Sequence, residues 1–389
     1  MVAATRAPGV TSISVSKHAA TMNKPDAQRP RSELFRRLLL VLAALMVSLG
    51  VLELGLRTWF WGYLFTWPNF VLEARRVLAE GDSSRYVHDD RLGYLPRPGH
   101  AAAGVTIEAD GRRSTGALPA PSGAPILAPI LAVGDSFTFG AEVTDQETWP
   151  SLLQQLTGRR VLNAGVNGYG FDQIVLRAEA LAPVYKPEAI VVAFIADDIR
   201  RTEMRRLWGA DKPYFDIDKD TLVPRNVPVP PRADPGTTLT FWQRTFGYSL
   251  LVDFVLRQLD QLNPWYGDHL RVHPEGTGER IACLLTGRLA ELQRASGARV
   301  LVVAEYDPVV WDHPKFAAEQ RRMTEGLLAC ARAHGIAAID NFDSLVAHFT
   351  KENGKPRDLY AQWHLNAKGN GVIARAIAAE LGRLHMPSR

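Results

Sequence analysis

A serine that directly follows an apolar segment is the first feature of the sequence that could do chemistry. The apolar run 126–132 leads into Val133, Gly134, Asp135 and Ser136. Such a run is typical of a buried parallel strand, and Gly-Asp-Ser would then form a sharp turn at the strand's carboxyl end. Open α/β sheets carry their sites at that edge. The pattern therefore predicts that Ser136 faces a cleft as a nucleophile.

A histidine near the C-terminus could supply the base that this serine needs. A serine hydroxyl is a weak nucleophile until a base takes its proton. His364 stands in the sequence Trp-His-Leu-Asn, just before the last predicted helix. We predict that Ser136 and His364 form a nucleophile–base pair. The alternative is that His364 is a capping or core residue.

Four blocks in this order resemble the SGNH or GDSL family of serine esterases and acyltransferases. Gly-Asp-Ser is the first block and His-Leu-Asn is the last. Between them, residues 163–170 (Asn-Ala-Gly-Val-Asn-Gly-Tyr-Gly) resemble the second block, and residues 194–198 (Phe-Ile-Ala-Asp-Asp) stand where the third, usually Gly-x-Asn-Asp, belongs. The resemblance covers roughly residues 125 to 385. Four ordered blocks argue against a purely structural turn, and the Gly-x-Ser-x-Gly elbow of α/β-hydrolases is absent.

The resemblance implies an oxyanion hole with one departure. The backbone N–H groups of Ser136 and Gly165 would be donors, and glycine would let the substrate approach the backbone closely. Asp197 stands where the family has an asparagine donor. A carboxylate offers no N–H and repels a forming oxyanion. Asp197 must therefore be protonated, paired with Arg200 or Arg201, or turned away.

The acid that would orient His364 is missing from its usual place. Ala361 and Gln362 occupy the positions three and two residues before the histidine, where the family has an aspartate. Asp358 or Asp340 could supply the carboxylate instead, or a backbone carbonyl could orient the ring. The sequence leaves these alternatives open.

Alternating strand and helix patterns predict the scaffold. Strands are predicted at 126–133, 160–163, 188–195, 299–305 and 336–339, and helices at 148–157, 171–182, 278–296, 315–334 and 366–384. Such alternation gives parallel strands with right-handed crossovers, covered by helices on both faces. We predict an α/β fold over residues 126–389, a flavodoxin-like three-layer αβα sandwich with a mostly parallel five-stranded sheet, which is the SGNH hydrolase fold.

Residues 199–277 interrupt this alternation with an insertion far longer than an ordinary connection. The insertion leaves the carboxyl end of the third strand, so it must lie over or beside the site. We interpret it as a lid or a cap that shapes the substrate site. A packing appendage is the alternative.

Residues 38–57 are predicted to be a transmembrane signal-anchor. About 20 apolar residues span a bilayer core, and the run 38–56 suffices if Glu53 lies near the far interface. The arginines before it place residues 1–37, a predicted disordered tail, in the cytoplasm. No Ala-x-Ala cleavage site follows, which favours a retained anchor over a signal peptide; a buried core helix is the alternative. We therefore expect a single-pass protein of a bacterial inner membrane, with a connector at 58–125 and the catalytic domain in the periplasm.

Charge and cysteine content limit the partners. The net charge is +4, and residues 1–37 carry seven basic residues against two acidic ones, so the remainder is near −1. Nucleic-acid binding by the body is therefore not expected. Cys283 and Cys330 could be buried thiols or, outside the cytoplasm, one disulfide. His269 and His273 lack a third ligand, so neither a metal nor a cofactor is expected.

These features predict a serine-dependent esterase that hydrolyses O-acyl groups. The resemblance to membrane-anchored relatives implies an O-acetyl group on an envelope or extracellular polysaccharide. One alternative is an O-acyltransferase, which would need a membrane acyl-donor protein. The other is a degenerate domain that binds glycan without turnover, because of Asp197 and the missing acid.

Overall fold

The computed structural model describes residues 31–118 and 127–385, which divide into two compact units at Phe65 and Thr66. The first unit contains the helix α1 (Arg31–Trp59) and a short 3-10 turn (Trp61–Tyr63). Its stretch Ser32–Trp59 is long and apolar enough to cross a membrane. Helix α1 starts before the predicted anchor because no proline or glycine interrupts residues 31–49. Residues 31–37 of the predicted tail are thus helical, and the rest of the tail lies outside the described residues.

The second unit contains the remaining strands and helices. The strands are β1 (Tyr86–Asp89), β2 (Gly93–Pro96), β3 (Ala101–Ala102), β4 (Val105–Thr106), β5 (Ile130–Val133), β6 (Val161–Asn163), β7 (Ala189–Phe194), β8 (Met204–Leu207), β9 (Ala210–Asp211), β10 (Tyr214–Asp218), β11 (Thr221–Arg225), β12 (Leu270–Arg271), β13 (Arg299–Ala304) and β14 (Ala337–Asp340). The helices are α2 (Phe70–Arg85), α3 (Ser136–Phe139), α4 (Trp149–Thr157), α5 (Phe171–Tyr185), α6 (Ala196–Arg201), α7 (Phe241–Phe246), α8 (Leu250–Gln258), α9 (Leu262–Tyr266), α10 (Thr277–Ser296), α11 (Val309–Asp312), α12 (Pro314–Ala333), α13 (Phe342–Lys351) and α14 (Ala367–His385).

The central sheet has five strands in the order β14-β13-β7-β5-β6, and every neighbouring pair is parallel. Strands β5, β6 and β7 are buried along their whole length. Helices α5, α10 and α12 pack together, and α4 packs with α14. The predicted α/β fold with a parallel five-stranded sheet is confirmed. Helices α10 and α12 are joined by a disulfide between Cys283 and Cys330.

The predicted strands after the first agree with the structure to within one residue at each end. Strand β5 instead starts at Ile130, whereas it was predicted from residue 126, which lies outside the described residues. Pro129 explains the difference, because proline has no N–H to donate to a strand ladder. Helix α5 runs three residues further than predicted, through Pro183 in its last turn. Helices α2 and α13 had no predicted counterpart.

The insertion and the connector fold into small sheets and short helices. Strands β8, β9 and β12 form one antiparallel sheet, while β10 and β11 form a hairpin. The β8–β9 hairpin turns at Trp208 and Gly209, whose φ angles are 46° and 75°. Positive φ at both positions is the geometry of a tight hairpin turn, and it costs energy for a bulky residue such as tryptophan. In the connector, β1 and β2 form another hairpin.

Candidate active site

The turn between β5 and α3 presents Ser136. Asp135 caps α3, because its carboxylate accepts the N–H of Phe137 at 2.9 Å. Gly134 allows the turn to pack tightly, since a Cβ there would lie 2.0 Å from the Thr138 hydroxyl oxygen. Ser136 is half-buried while the strand before it is fully buried. The Gly-Asp-Ser sequence therefore places one hydroxyl at the carboxyl edge of the sheet, as predicted.

His364 lies against Ser136, although 228 positions separate them in the chain. Its Nε2 is 2.8 Å from the Ser136 hydroxyl oxygen. Its ring also packs on Phe137, with 5.0 Å between ring centroids. The histidine precedes α14, in a segment where Tyr360 and Leu365 form an antiparallel bridge. The structure thus brings the two predicted residues within hydrogen-bond distance.

Glu142 occupies the position of the missing acid. Its Oε1 is 3.0 Å from Nδ1 of His364. Its carboxylate also accepts backbone N–H groups from Gln362 at 2.8 Å, Trp363 at 3.0 Å and His364 at 3.3 Å. Burial raises the pKa of Glu142, but these hydrogen bonds more than offset it and hold the pKa below its ordinary value.

An ionised Glu142 determines the tautomer of His364. A carboxylate can only accept, so the Nδ1 beside it must carry the proton. Nε2 is then a lone pair that can accept the proton of Ser136. In this geometry Glu142 can orient the ring, His364 can act as a base, and Ser136 can act as the nucleophile.

The two aspartates predicted as orienting acids are placed elsewhere, so that prediction is wrong. Asp358 accepts the backbone N–H of Lys355 at 2.7 Å. Asp340 accepts the Tyr306 hydroxyl at 3.0 Å and the Phe342 N–H at 2.9 Å. Asp358 thus serves a local turn, and Asp340 links its own turn to Tyr306. Glu142 was not identified from the sequence because its partner, His364, is 222 positions away in the chain. The one available signal was that Glu142 follows Ser136 by six residues.

Gly165 is not available as an oxyanion donor, which corrects a second prediction. Its N–H donates to the Asn163 side-chain oxygen at 3.1 Å. A Cβ at Gly165 would lie 2.4 Å from the Phe139 nitrogen, so this glycine is needed for packing beneath the nucleophile turn. Gly168, three residues later, lines the cleft instead. The second block contains several glycines, and the sequence does not tell which of them faces the substrate.

Three hydrogen-bond donors lie together in the cleft beside His364. Ser136, Asn167 and Gly168 all line it. Among the described residues, the backbone N–H groups of Ser136 and Gly168 form no hydrogen bond. The side-chain amide of Asn167 is also unpaired there, and its oxygen is buried without a partner. The Tyr94 hydroxyl donates to the Asn167 main-chain oxygen at 2.8 Å and so fixes this segment. Hydrogen-bond donors in the same cleft as a nucleophile can bind an oxygen anion if they point toward the reacting carbon.

Asp197 is paired and lies apart from the cleft-lining residues. In the first turn of α6, it forms an ion pair with Arg200 and accepts a hydrogen bond from Gln320 at 3.4 Å. Its neighbour Asp198 is buried, accepts the Ile195 N–H at 3.0 Å and pairs with Arg201 at 2.5 Å. The prediction that Asp197 belongs to the oxyanion hole is therefore not supported by its placement. Arg200 is shared with a second carboxylate, Glu319, at 3.0 Å.

The cleft around Ser136 has a volume of about 790 Å³. Its walls come from α2, the β1–β2 hairpin and the β8–β9 hairpin of the insertion, with Trp208 at the turn. The ring of Trp208 lies on Gly168, where a Cβ would come within 2.4 Å of it. Residues of the insertion therefore form one wall of the cleft. His269 and His273 engage separate partners, the Trp208 ring and the Phe215 carbonyl.

The sequence matches the GDSL-like Lipase/Acylhydrolase family over residues 132–372. The chain therefore belongs to this family, and it is an acyl-ester hydrolase by class. No curated protein matches the sequence significantly.

Several solved structures are similar to this chain at low identity. A member of the lipolytic protein G-D-S-L family from Veillonella parvula is 15% identical, with a TM-score of 0.36 over 66% of this chain and 99% of that one. LAE5, an alpha/beta hydrolase enzyme from the metagenome of Lake Arreo, is 13% identical, with a TM-score of 0.41 over 67% and 97%. A catalytic mutant of the acetylxylan esterase Axe2 from Geobacillus stearothermophilus is 15% identical, with a TM-score of 0.38 over 67% and 97%.

Proposed function

We propose that Ser136, His364 and Glu142 form the catalytic triad of a serine esterase. The observation that carries this proposal is the continuous chain of contacts from Glu142 through His364 to Ser136, at 3.0 and 2.8 Å. Ser136 and His364 both line an open cleft, so a substrate can reach them. A degenerate binding domain would have no reason to keep this geometry.

The reaction follows from the positions of the protons. The Ser136 hydroxyl oxygen bonds to the acyl carbon while its proton passes to Nε2 of His364. The bond to the leaving alcohol then breaks, and Nε2 returns that proton to the alcohol oxygen. Water attacks the acyl-serine in the same way, giving the free acid and restoring the hydroxyl. Glu142 holds the ring and stabilises the imidazolium formed in each half of the cycle.

The oxyanion hole is assigned to Ser136, Gly168 and Asn167. The donors would be the backbone N–H groups of Ser136 and Gly168 and the side-chain amide of Asn167. Gly168 and Asn167 thus take the places predicted for Gly165 and Asp197. Asn167 then takes over the role that the family gives to the asparagine of the third block. This explains how an aspartate at 197 is compatible with activity, since it is paired with Arg200 outside the cleft.

Replacing Asn167 by alanine should lower kcat by about 10²-fold, because one oxyanion donor typically supplies about 3 kcal/mol of transition-state stabilisation. Asn167→Asp should lower kcat at least as much, since a carboxylate has no N–H to donate. Asp197→Asn is the matched control and should leave kcat unchanged. Steady-state hydrolysis of p-nitrophenyl acetate measures all three. Loss of activity in Asp197→Asn with normal activity in Asn167→Ala would reverse the assignment.

For the substrate, we propose an O-acetyl group on an envelope or extracellular polysaccharide. A cleft of about 790 Å³ accommodates sugar rings, and its lining includes the aromatic side chains of Tyr86, Tyr94 and Trp208. Release of free acetate from an O-acetylated oligosaccharide supports hydrolysis. Transfer of the acetyl group to an added acceptor sugar, dependent on a membrane acyl-donor protein, would instead assign the chain to the acyltransferases.

We also propose that the esterase unit lies in the periplasm, anchored to the inner membrane through α1. The basic residues before α1 favour this orientation. The disulfide between Cys283 and Cys330 supports it, because disulfides persist in oxidising compartments.

Anchoring through α1 and its orientation can both be tested directly. The full-length protein should sediment with membranes and remain there in high salt, and alkaline phosphatase fused to its C-terminus should be active. A shortened, soluble product would show that the segment is cleaved, and an inactive fusion would show the reverse orientation.

A further inference from the structure

We infer that the cleft binds an anionic glycan, so that the acyl ester is carried by a chain with carboxylated sugars. This inference rests on the proposed esterase function and concerns the part of the substrate that becomes the leaving alcohol. It is based on the charges, the free donors and the aromatic faces around the cleft.

The charged side chains in the lining are not all available to a ligand. Among the described residues, those that line the cleft are Arg85, Arg97, Arg201, Arg232 and Asp211. Asp211 is already bound by Arg206, which lies outside the lining, at 2.7 and 3.1 Å. Arg201 is likewise paired, with the buried Asp198 at 2.5 Å and with Asp135 at 3.7 Å. The positive charge that a ligand can use therefore lies at Arg85 and Arg97.

Arg85 and Arg97 are free to bind a carboxylate. Arg97 donates through Nη2 to the main-chain oxygens of Ser83 and Tyr86, at 2.5 and 3.2 Å. Arg85 donates through Nε to the Gly81 oxygen at 3.2 Å. Among the described residues neither forms an ion pair, and each keeps two guanidinium nitrogens without a partner. Backbone oxygens thus position both groups without neutralising them.

A planar guanidinium held in this way suits a carboxylate, which it can bind through two parallel hydrogen bonds. Both arginines are exposed at the rim, close to the end of α2 and the β1–β2 hairpin. An extended chain that reaches from Ser136 to the rim would bring a neighbouring acidic sugar to them. A small neutral ester would not reach this far.

The aromatic faces favour a sugar as the carrier of that charge. Trp208 is held with a left-handed backbone at the tip of its hairpin, and its side chain is 40% exposed. Arg201 lies over its ring, 5.2 Å from the centroid. Strained residues persist where the surrounding structure holds them for function. The exposed part of this ring can pack on a sugar, while Arg85 and Arg97 at the rim bind the carboxylate of a neighbouring sugar.

The test compares two substrates that differ only in charge. The full-length protein in detergent micelles is given O-acetylated trigalacturonate and its carboxyl-reduced counterpart, and kcat/KM is measured for both. The ratio between the two cancels any loss of folded enzyme in a variant. We expect a ratio of about 10 in favour of the anionic substrate, falling toward 1 in 0.5 M NaCl because rim charges are screened.

Arginine variants show which side chains produce the preference for the anionic substrate. Arg85→Gln and Arg97→Gln should each lower it about threefold, as expected for exposed charge pairs, and the double variant should abolish it. Arg97→Lys should retain part of the preference. Arg294→Gln, an exposed arginine on α10, is the matched control. A ratio near 1 in the wild type, or one that both glutamine variants leave unchanged, would overturn the inference.

Two other outcomes are distinguishable. If lysophosphatidylglycerol is hydrolysed in preference to both glycans, with the same dependence on Arg97, the arginines bind a lipid headgroup and the glycan is the wrong class. If no ester is hydrolysed and a fluorophosphonate does not label Ser136, the proposed esterase function itself fails.

Discussion

Ser136→Ala and His364→Ala should each lower kcat for p-nitrophenyl acetate by roughly 10³-fold or more, because the two residues act as one unit. Without the hydroxyl there is no acyl-serine, and without the imidazole the hydroxyl keeps its proton. A fluorophosphonate should label the wild type at Ser136, fail to label Ser136→Ala, and react slowly with His364→Ala. When both substitutions are combined, kcat should fall by about as much as in either single variant.

The control for these variants is a pair of equivalent substitutions away from the cleft. Ser296 and His313 are exposed on or beside helices of the same unit. Ser296→Ala and His313→Ala should keep wild-type turnover. Circular dichroism should show all four proteins folded. Wild-type turnover in Ser136→Ala or His364→Ala would refute the proposed pair.

The fold was largely predictable because buried strands leave a local signal. The apolar runs that became β7 and β13 contain few polar residues, so their ends were located to within one residue. The insertion was different. Its strands are as short as two residues, and their pairing depends on contacts such as that between β8 and β12, far apart in sequence. Local patterns do not determine such pairings.

The site residues, like the strands, were predictable where the sequence carries a local signal. Ser136 and His364 stand in local sequence blocks, so their types and neighbours identified them. Glu142 has no such block, and its role appears only when two loops meet across the carboxyl edge of the sheet. Gly165 and Gly168 differ in what a Cβ would meet, main chain in the first case and the Trp208 ring in the second. That difference is a property of packing and not of the sequence block.

Glu142→Gln should lower kcat by roughly 10³-fold while KM changes little. Glutamine keeps the size of the side chain, but it removes the negative charge that stabilises the imidazolium, and its amide can turn an N–H toward Nδ1 and favour the wrong tautomer. Glu142 is not among the cleft-lining residues, which is why substrate binding should be spared. The rate of fluorophosphonate labelling should fall in the same proportion as kcat, because both report the basicity of Nε2.

Neighbouring and competing carboxylates provide the controls for Glu142. Glu147 lies in the same loop and accepts the Thr144 N–H at 2.9 Å, so Glu147→Gln tests whether any loss of charge in this loop matters. Asp358→Asn removes one of the two carboxylates that the sequence offered as the orienting acid. Both should retain wild-type kcat, whereas Glu142→Asp, which keeps the charge on a shorter arm, should recover part of the loss. If Glu142→Gln stays within threefold of the wild type, His364 is oriented by its backbone contacts alone, and the enzyme works as a Ser136–His364 dyad.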